Sequence, residues 1–427
     1  MHVRMVFCDK TGRMYDHPDL ALAGQDGPEP VSIPLKRLIH VPRGSDFMVL
    51  PGRLPIGIDP VRHEPVVFTS WEGKTVFAAA VFMAPAHVQT HWTSYKSERV
   101  APTLPLFAYT ALGYADGKFY AAGFRVDESP RQDPWRFEMD AVRKEMDNLD
   151  ADMKKNRVVQ QLKKCALAYG CRAAQNFFLG RWEAPLPTSV ACNATCVGCI
   201  SQQKNGTFKA SHDRLTSPPS PDEVADVAVF HIERVDRAVV SFGQGCEGEP
   251  LLMSDLLYES IKKIRARTDH GTINLNSNGS MPPVVEKLID AGLDSIRISV
   301  NSLRKNLYDA YFKPNGYTFG DVNRSIDVAR NREIFVSLNF LVFPGVTDTE
   351  DELEAFEKWL DDHSVDMIQM RNLNIDPELY VRSLPSGAYS RGFGMQKLMA
   401  SLKELLPSLK FGYFNPAKEF FSEQKSA

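Results

Sequence analysis

The chain has 427 residues, more than one compact core normally holds, so two or three domains are expected. Apolar residues make up 43% and charged residues 24%, the balance of a folded globular protein, which excludes global disorder and a fibrous repeat. The net charge of −3 supplies no bulk attraction to nucleic acid or to an anionic membrane. The longest nearly unbroken apolar run, Val76 to Ala86, is about half the length of a membrane helix. Met1-His2-Val3-Arg4 lacks the apolar stretch of a signal peptide, so the expected address is the cytoplasm, with no membrane partner; a nucleic-acid partner is not favoured, although a local basic patch stays open.

In chain order, residues 1–128 read as a β-rich N-terminal domain of unassigned role. Phe107 to Tyr114 and Lys118 to Val126 flank Ala115-Asp116-Gly117, a strong hairpin signal. Pro65 to Thr69 and Thr75 to Phe82 add candidate strands. Residues 129–182 shift to helix formers and predict a connector of one or two helices. From residue 183 short β-branched runs alternate with amphipathic segments. Strands are expected at Thr188 to Ala191, Ala238 to Phe242, Thr272 to Asn276, Ser295 to Asn301, Glu333 to Phe343 and Asp366 to Arg371. Helices are expected near Leu251 to Arg267, Pro282 to Ala291, between Arg304 and Asn331, and from Thr349 to Asp362. Ser220-Pro221-Asp222-Glu223 offers an N-cap with proline at the first helical position, and Thr349 to Glu352 reads as a capping box. Strands alternating with helices imply parallel pairing with right-handed crossovers.

Strand parity says more. In Ser295 to Asn301 the odd positions are polar and the even ones aliphatic. Ser337 and Asn339 share a face opposite Val336, Leu338 and Phe340, as do Asn274, Asn276 and Asn278, and likewise Gln369 and Arg371. A strand buried under helices on both sides is apolar on both faces, so one polar face per strand points to a barrel lined with hydrogen-bonding groups. The expected fold is α/β, a partial (β/α)6 TIM-like barrel over residues 183–375, with a tail over residues 376–427 whose aromatic stretches, Tyr389 to Gly394 and Phe411 to Phe414, are expected to close the barrel mouth. Arg297, Ser337, Asn339, Gln369, Arg371, Asn372 and Asn374 are the polar lumen candidates, open to a substrate role or to a core network.

The seven cysteines are too few and too unevenly spaced for a disulfide scaffold. Cys192, Cys196 and Cys199 lie in one short loop, a spacing that lets thiolates converge on a soft metal centre. Structural zinc takes four closed ligands, and no second pair follows. Three thiolates suit a four-iron cluster with one iron left for an outside ligand. Cys165 and Cys171 are six residues apart, about 240° round a helix, and read as small core residues. Cys246 sits in a loop expected to face a cofactor. His87, His91 and His231 have no ligand-like spacing.

The C-x3-C-x2-C pattern at the end of a first barrel strand resembles the radical S-adenosylmethionine (radical SAM) superfamily. Gly248-Glu249-Pro250-Leu251, after the next strand, resembles that family's glycine-glycine-glutamate-proline loop. Asn276-Ser-Asn-Gly279, Arg297 to Ser302 and Phe343 to Asp348 are similar to its later strand ends, in family order, across Glu183 to Arg371. The last of these resembles the cofactor-maturation and peptide-modifying branch, although the cysteine-rich C-terminal extension of many such relatives is missing, since no cysteine follows Cys246.

The resemblance implies a 4Fe-4S cluster on Cys192, Cys196 and Cys199, with S-adenosylmethionine on the fourth iron. Glu249 and the Gly248 backbone would meet the methionine amino group, Asn276, Ser299 and Asn301 the ribose hydroxyls, and Lys313 the methionine carboxylate. It implies one-electron cleavage to a 5′-deoxyadenosyl radical that takes hydrogen from a peptide, protein or small polar substrate, with a flavodoxin- or ferredoxin-like electron donor as partner. A radical methylating or RNA-modifying enzyme, and a noncatalytic iron–sulfur sensor, are the alternatives. Two positions depart from the family pattern: Gly198 stands where an aromatic residue precedes the last cysteine, and Glu247 where the first glycine of the glycine pair would be.

Overall fold

The computed structural model describes residues 2–203 and 208–421. The first part is a 13-stranded, largely antiparallel sheet built around Arg4–Asp9, Met14–Asp26, Lys74–Phe82 and Thr110–Ala115. The expected hairpin forms between Thr110–Ala115 and Lys118–Ala121, with Ala115 opposite Lys118. Asp116 and Gly117 take φ of +49° and +77°, the two-residue turn whose twist suits paired strands. The connector contains four short helices, Met139–Asn148, Ala151–Lys155, Arg157–Ala168 and Arg172–Phe178, where one or two were expected. Asp150 and Asn156 interrupt the helical run, because each turns its side chain back to accept from the backbone N–H groups two and three residues on, and so starts a new helix.

Seven parallel strands follow, in sequential spatial order: β1 (Glu183–Pro185), β2 (Val239–Phe242), β3 (Thr272–Ser277), β4 (Ser295–Val300), β5 (Phe335–Val342), β6 (Met367–Asn372) and β7 (Lys410–Gly412). The helices between them are α1 (Pro221–Arg234), α2 (Ser254–Arg265), α3 (Pro282–Asp290), α4 (Lys305–Phe312), α5 (Phe319–Asn331), α6 (Glu350–Asp362), α7 (Pro377–Ser383) and α8 (Met395–Leu405). The sheet is a partial barrel, with β1 and β7 at its free edges. Three expectations change. The first strand is Glu183–Pro185 and not Thr188 to Ala191, since the N–H groups of Thr188 and Ser189 go to the Glu247 carboxylate and not to a ladder. The tail does not close the mouth: Phe411 lies in β7, and Tyr389 hydrogen-bonds the Gly27 carbonyl in the N-terminal sheet. Glu352 does not complete a capping box with Thr349. Its carboxylate crosses to Ser302 and Leu303 after β4 (2.5 and 2.7 Å).

One apolar core runs from Leu50, Ala78 and Val88 of the N-terminal region through the connector helices into the barrel strands and helices. A separate two-stranded ribbon of the N-terminal region, His87–Gln89 paired with Gly123–Arg125, grips the exit of β6 with the Phe107 loop. Asn372 accepts from the Gln89 N–H (2.9 Å) and donates to the His87 carbonyl (3.0 Å), and the Ile375 N–H reaches the Phe107 carbonyl (3.1 Å). Below these contacts, Arg53 and Asp376 form a fully buried ion pair at 2.8 Å. The open side of the barrel is spanned by the segment after the last N-terminal strand. The Asp127 carboxylate accepts from the Tyr413 and Phe414 N–H groups beside β7, and Arg131, half-buried near Glu183 of β1, donates to the Asn415 carbonyl.

Candidate functional site

The alternating parity of the strands produces the lumen. Ser295 donates to Asn274 (2.8 Å), Asn274 to Ser241 (3.2 Å) and Asn276 (2.9 Å), and Asn339 to Ser299 (3.0 Å). At the β1 side the Glu183 carboxylate accepts from Ser241 (2.6 Å), Gln244 (3.1 Å) and Asn415 (2.8 Å). Asn415 also reaches Asn276 and receives a bond from Gln369, so one tail residue ties both edges of the half-barrel through its interior. Ser337 and Gln369 belong to this network (3.4 Å).

Above the network lies a cavity of about 440 Å³ at the strand C-termini. Cys192, Cys196, Cys199, Gly248, Glu249, Asn276 and Ser299 all line it, so those predicted residues are brought together. Asn301 does not line it. It lies past the end of β4, where the chain turns, and its amide donates to the Leu307 carbonyl and the Tyr380 hydroxyl. Lys313, in left-handed conformation at the end of α4, lines a second cavity of about 320 Å³ on the far side of the cysteine loop, beside Cys196 and Cys199.

The cysteine loop is held from two sides. Backbone bonds join Thr195 and Val197 to the carbonyls of Phe312 and Tyr311 (3.0 Å each), and Asn315 to that of Asn193 (2.9 Å). On the other side Gly248 donates to the Ser189 carbonyl and Glu249 to that of Ala191 (2.8 Å each). This approach requires glycine: a Cβ on Gly248 would stand 1.8 Å from the Ala191 oxygen. Gly198 is explained by Tyr311. The tyrosine hydroxyl lies 2.9 Å from where a Gly198 Cβ would be, so a ring from α4 leaves no room for a side chain at this position of the loop. Arg214 approaches Cys199 Sγ (3.7 Å) and donates to Ser201 (2.9 Å), placing a cation beside thiols that burial otherwise holds well above their ordinary range at Cys196.

The two glutamates divide clearly. Glu247 accepts from the N–H groups of Thr188, Ser189, Gly243 and Gln244 and from the Thr188 hydroxyl, so both its oxygens are taken by the loops themselves. Glu249 accepts from Leu251 N–H and the Ser277 hydroxyl on one oxygen and from Asn278 N–H alone on the other (2.8 Å), which leaves capacity on the cavity side. Burial pushes both upward, Glu247 to about 7 and Glu249 to about 6. Cys246 is buried and its thiol meets that of Cys165, whereas Cys171 lines the cavity.

Residues 186–360 match the radical SAM superfamily. The chain carries a radical SAM domain. Among curated relatives, it is 23% identical over 181 residues to the FeMo cofactor biosynthesis protein NifB of Klebsiella pneumoniae (38% of each chain). It is 30% identical over 173 residues to a probable GTP 3′,8-cyclase of Methanocaldococcus jannaschii, covering 38% of this chain and 51% of that one. The chain therefore spans about half or less of the length of these relatives. Among solved structures, HydG, a maturase of the FeFe-hydrogenase, aligns over 64% of this chain and 66% of its own at 14% identity and a TM-score of 0.38. A radical SAM domain implies a 4Fe-4S cluster and S-adenosylmethionine, and the cavity suits both. Three sulfurs and a carboxylate with a free acceptor site surround it. No helix among the described residues is long and apolar enough to cross a membrane.

Sequence reasoning missed Tyr311, Arg214, Ser277 and Asn415. Only Tyr311 left a signal, as the aromatic residue lacking at position 198.

Proposed function

We propose that this chain is a radical SAM enzyme that holds a 4Fe-4S cluster on Cys192, Cys196 and Cys199 and abstracts hydrogen from an organic substrate in the barrel lumen. The observation that carries this reading is the convergence of the three thiols with Gly248, Glu249 and Ser299 on one cavity at the strand C-termini. The chemistry that the bound pair supplies is one-electron cleavage of the sulfonium of S-adenosylmethionine to a 5′-deoxyadenosyl radical. Glu249 offers the methionine ammonium its less occupied oxygen, while Ser277 and the Asn278 N–H fix the carboxylate in place. Glu247 serves instead as the strut that joins the β2 loop to the start of the cysteine loop. Ser299 and Asn339, hydrogen-bonded to each other at the rim, face the ribose; Asn276 is tied into the network below them, donating to the Phe242 carbonyl and accepting from Asn274 and Asn415. Tyr311 walls the adenine side, and Arg214 steadies the charge of the cysteine loop. Residues 1–128 act on the substrate side, through their hold on Asn372 and the β6 exit. A flavodoxin- or ferredoxin-like donor supplies the electron, and the address is the cytoplasm.

The test is anaerobic reconstitution with iron and sulfide, then dithionite with S-adenosylmethionine, scoring iron per chain and 5′-deoxyadenosine. Wild type is expected to form deoxyadenosine and Cys196→Ala to lose both iron and product. A wild-type chain that binds no iron refutes the assignment; a cluster that forms without ever cleaving S-adenosylmethionine points to the sensor alternative.

A further inference from the structure

The lumen holds two guanidinium groups that the cofactor reading does not use. Arg297 stands two residues before Ser299 on the same face of β4, one side-chain step further into the barrel. It is only 9% exposed, its Nη1 donates to the Gln369 side-chain carbonyl (3.0 Å), and its Nε has no partner. Arg371, on β6, lies over the Tyr413 ring at 4.0 Å and donates to the Tyr413 carbonyl (2.8 Å). Both line the cavity. Among the described residues every hydrogen bond that either makes goes to a neutral carbonyl oxygen. Glu183, the carboxylate whose charge Arg297 feels, already accepts three bonds.

A buried cation left unpaired is strongly unfavourable, and a second cation nearby makes it worse. Burial first, and Arg371 second, push Arg297 down to about 9. A core network would relieve such a position with a carboxylate or an uncharged side chain. A site that receives an anion keeps the charges and lets the ligand complete them, and the planar guanidinium fork matches carboxylate and phosphate oxygens.

We propose that Arg297 and Arg371 form a subsite for an anionic group of the substrate, a carboxylate or a phosphate. The assignment rests on the cavity being the substrate site of the proposed enzyme. The subsite holds the anionic end of the molecule against β4 and β6 and directs the remainder toward the cysteine loop.

The experiment uses the full, reconstituted chain and reads Tm against glutarate or inorganic phosphate at constant ionic strength, with chloride as reference. It is paired with the Kd for S-adenosylmethionine by calorimetry. Wild type is expected to gain stability with the logarithm of glutarate or phosphate concentration; whichever anion acts identifies the group. Arg371→Gln, at a half-buried position that tolerates the change, is expected to abolish the gain. Arg297→Gln is expected to abolish it too, while unfolding no earlier than wild type in chloride and keeping the Kd for S-adenosylmethionine within about threefold. No response in wild type, or a response that survives Arg371→Gln, overturns the proposal. So does a loss of S-adenosylmethionine affinity of about tenfold or more in Arg297→Gln, which would give the guanidinium to the cofactor's carboxylate. Iron binding and deoxyadenosine formation without an anion response sink the subsite and leave the enzyme; an anion response without iron does the reverse.

Discussion

The Arg53–Asp376 pair permits a quantitative test of how the N-terminal sheet and the barrel depend on each other. Both side chains are essentially inaccessible, at 2% and 1% exposure. Asp376 Oδ2 accepts from Arg53 Nη2 and from Leu104 N–H (2.8 Å each), while Oδ1 caps α7 through Glu378 and Leu379 (2.9 and 3.2 Å). Arg53 also donates to the carbonyls of Pro51 and Pro102 and lies over the Tyr95 ring. Removing one partner of such a pair strands the other, at a cost of about 3–5 kcal/mol. Arg53→Met belongs near 3 kcal/mol, because three backbone N–H groups still satisfy Asp376. Asp376→Leu belongs near 5 kcal/mol, since the cap of α7 adds about 1 kcal/mol. For 427 residues the unfolding entropy is about 0.9 kcal/mol per degree, so Arg53→Met lowers Tm by about 3–4 °C if the chain unfolds as one unit. The shared apolar core predicts that it does. The assay is urea unfolding followed by tryptophan fluorescence and by far-UV circular dichroism, for both single variants and the double. The double variant is expected to recover about 2 kcal/mol relative to the sum of the singles. A cost below about 1 kcal/mol for Arg53→Met, or strict additivity in the double, would refute the claim that this pair clamps the two regions.

Two further outcomes concern His231 and Gly248. His231, on α1, is buried with Nε2–H donating to the Trp182 carbonyl (3.2 Å), and burial pushes it down to about 4. The unfolded chain, with an ordinary histidine near 6.5, then binds the proton more tightly, so stability falls as pH drops from about 6.5 to about 4, by up to roughly 3 kcal/mol. His231→Phe should flatten that acid limb in urea midpoints taken at several pH values, and an unchanged limb would exclude His231 as its source. Gly248→Ala should lower iron per chain and weaken S-adenosylmethionine binding by more than about tenfold, because the new Cβ must displace the Ala191 carbonyl beside Cys192. Gly320→Ala, inside α5 with no atom closer than 3.5 Å, is the control and should gain up to about 1 kcal/mol of stability. Equal iron content and affinity in Gly248→Ala and wild type would show that the close approach is dispensable.

Local chemistry made much of the fold legible. The two-residue turn at Asp116-Gly117, the Ser220 cap and the polar parity of β3 to β6 are each determined within a few residues of chain, and each forms. The cysteine loop and the Gly248-Glu249-Pro250 turn were legible as spacing. What the sequence did not disclose depends on partners far away. β7 is three residues long without a β-branched side chain, too short for any period. Asn415 looks like an ordinary tail asparagine until β7 carries it into the lumen. Thr188 to Ala191 has strand composition, but Glu247, more than fifty residues later, takes its N–H groups. Glu352 has the spacing of a capping residue and bonds instead to the β4 exit, because Ser302 and Leu303 present unpaired donors there. Asn301 keeps the parity of the lumen face yet falls beyond the last ladder pair of β4, where parity ceases to decide direction.

The seam between β1 and β7 has an evolutionary consequence. A closed barrel fixes its bore by strand number and stagger, so widening it means re-registering the whole sheet. Here, among the described residues, the seam is bridged by the side chains of Asp127, Arg131 and Asn415 and by no ladder. Exchanges at Gln132, the residue of this strap that lines the cavity, therefore resize the wall while every inter-strand bond and all three cysteines stay in place. Descendants of this chain can reshape the cavity by rewriting one short strap and leave the cysteine loop as inherited.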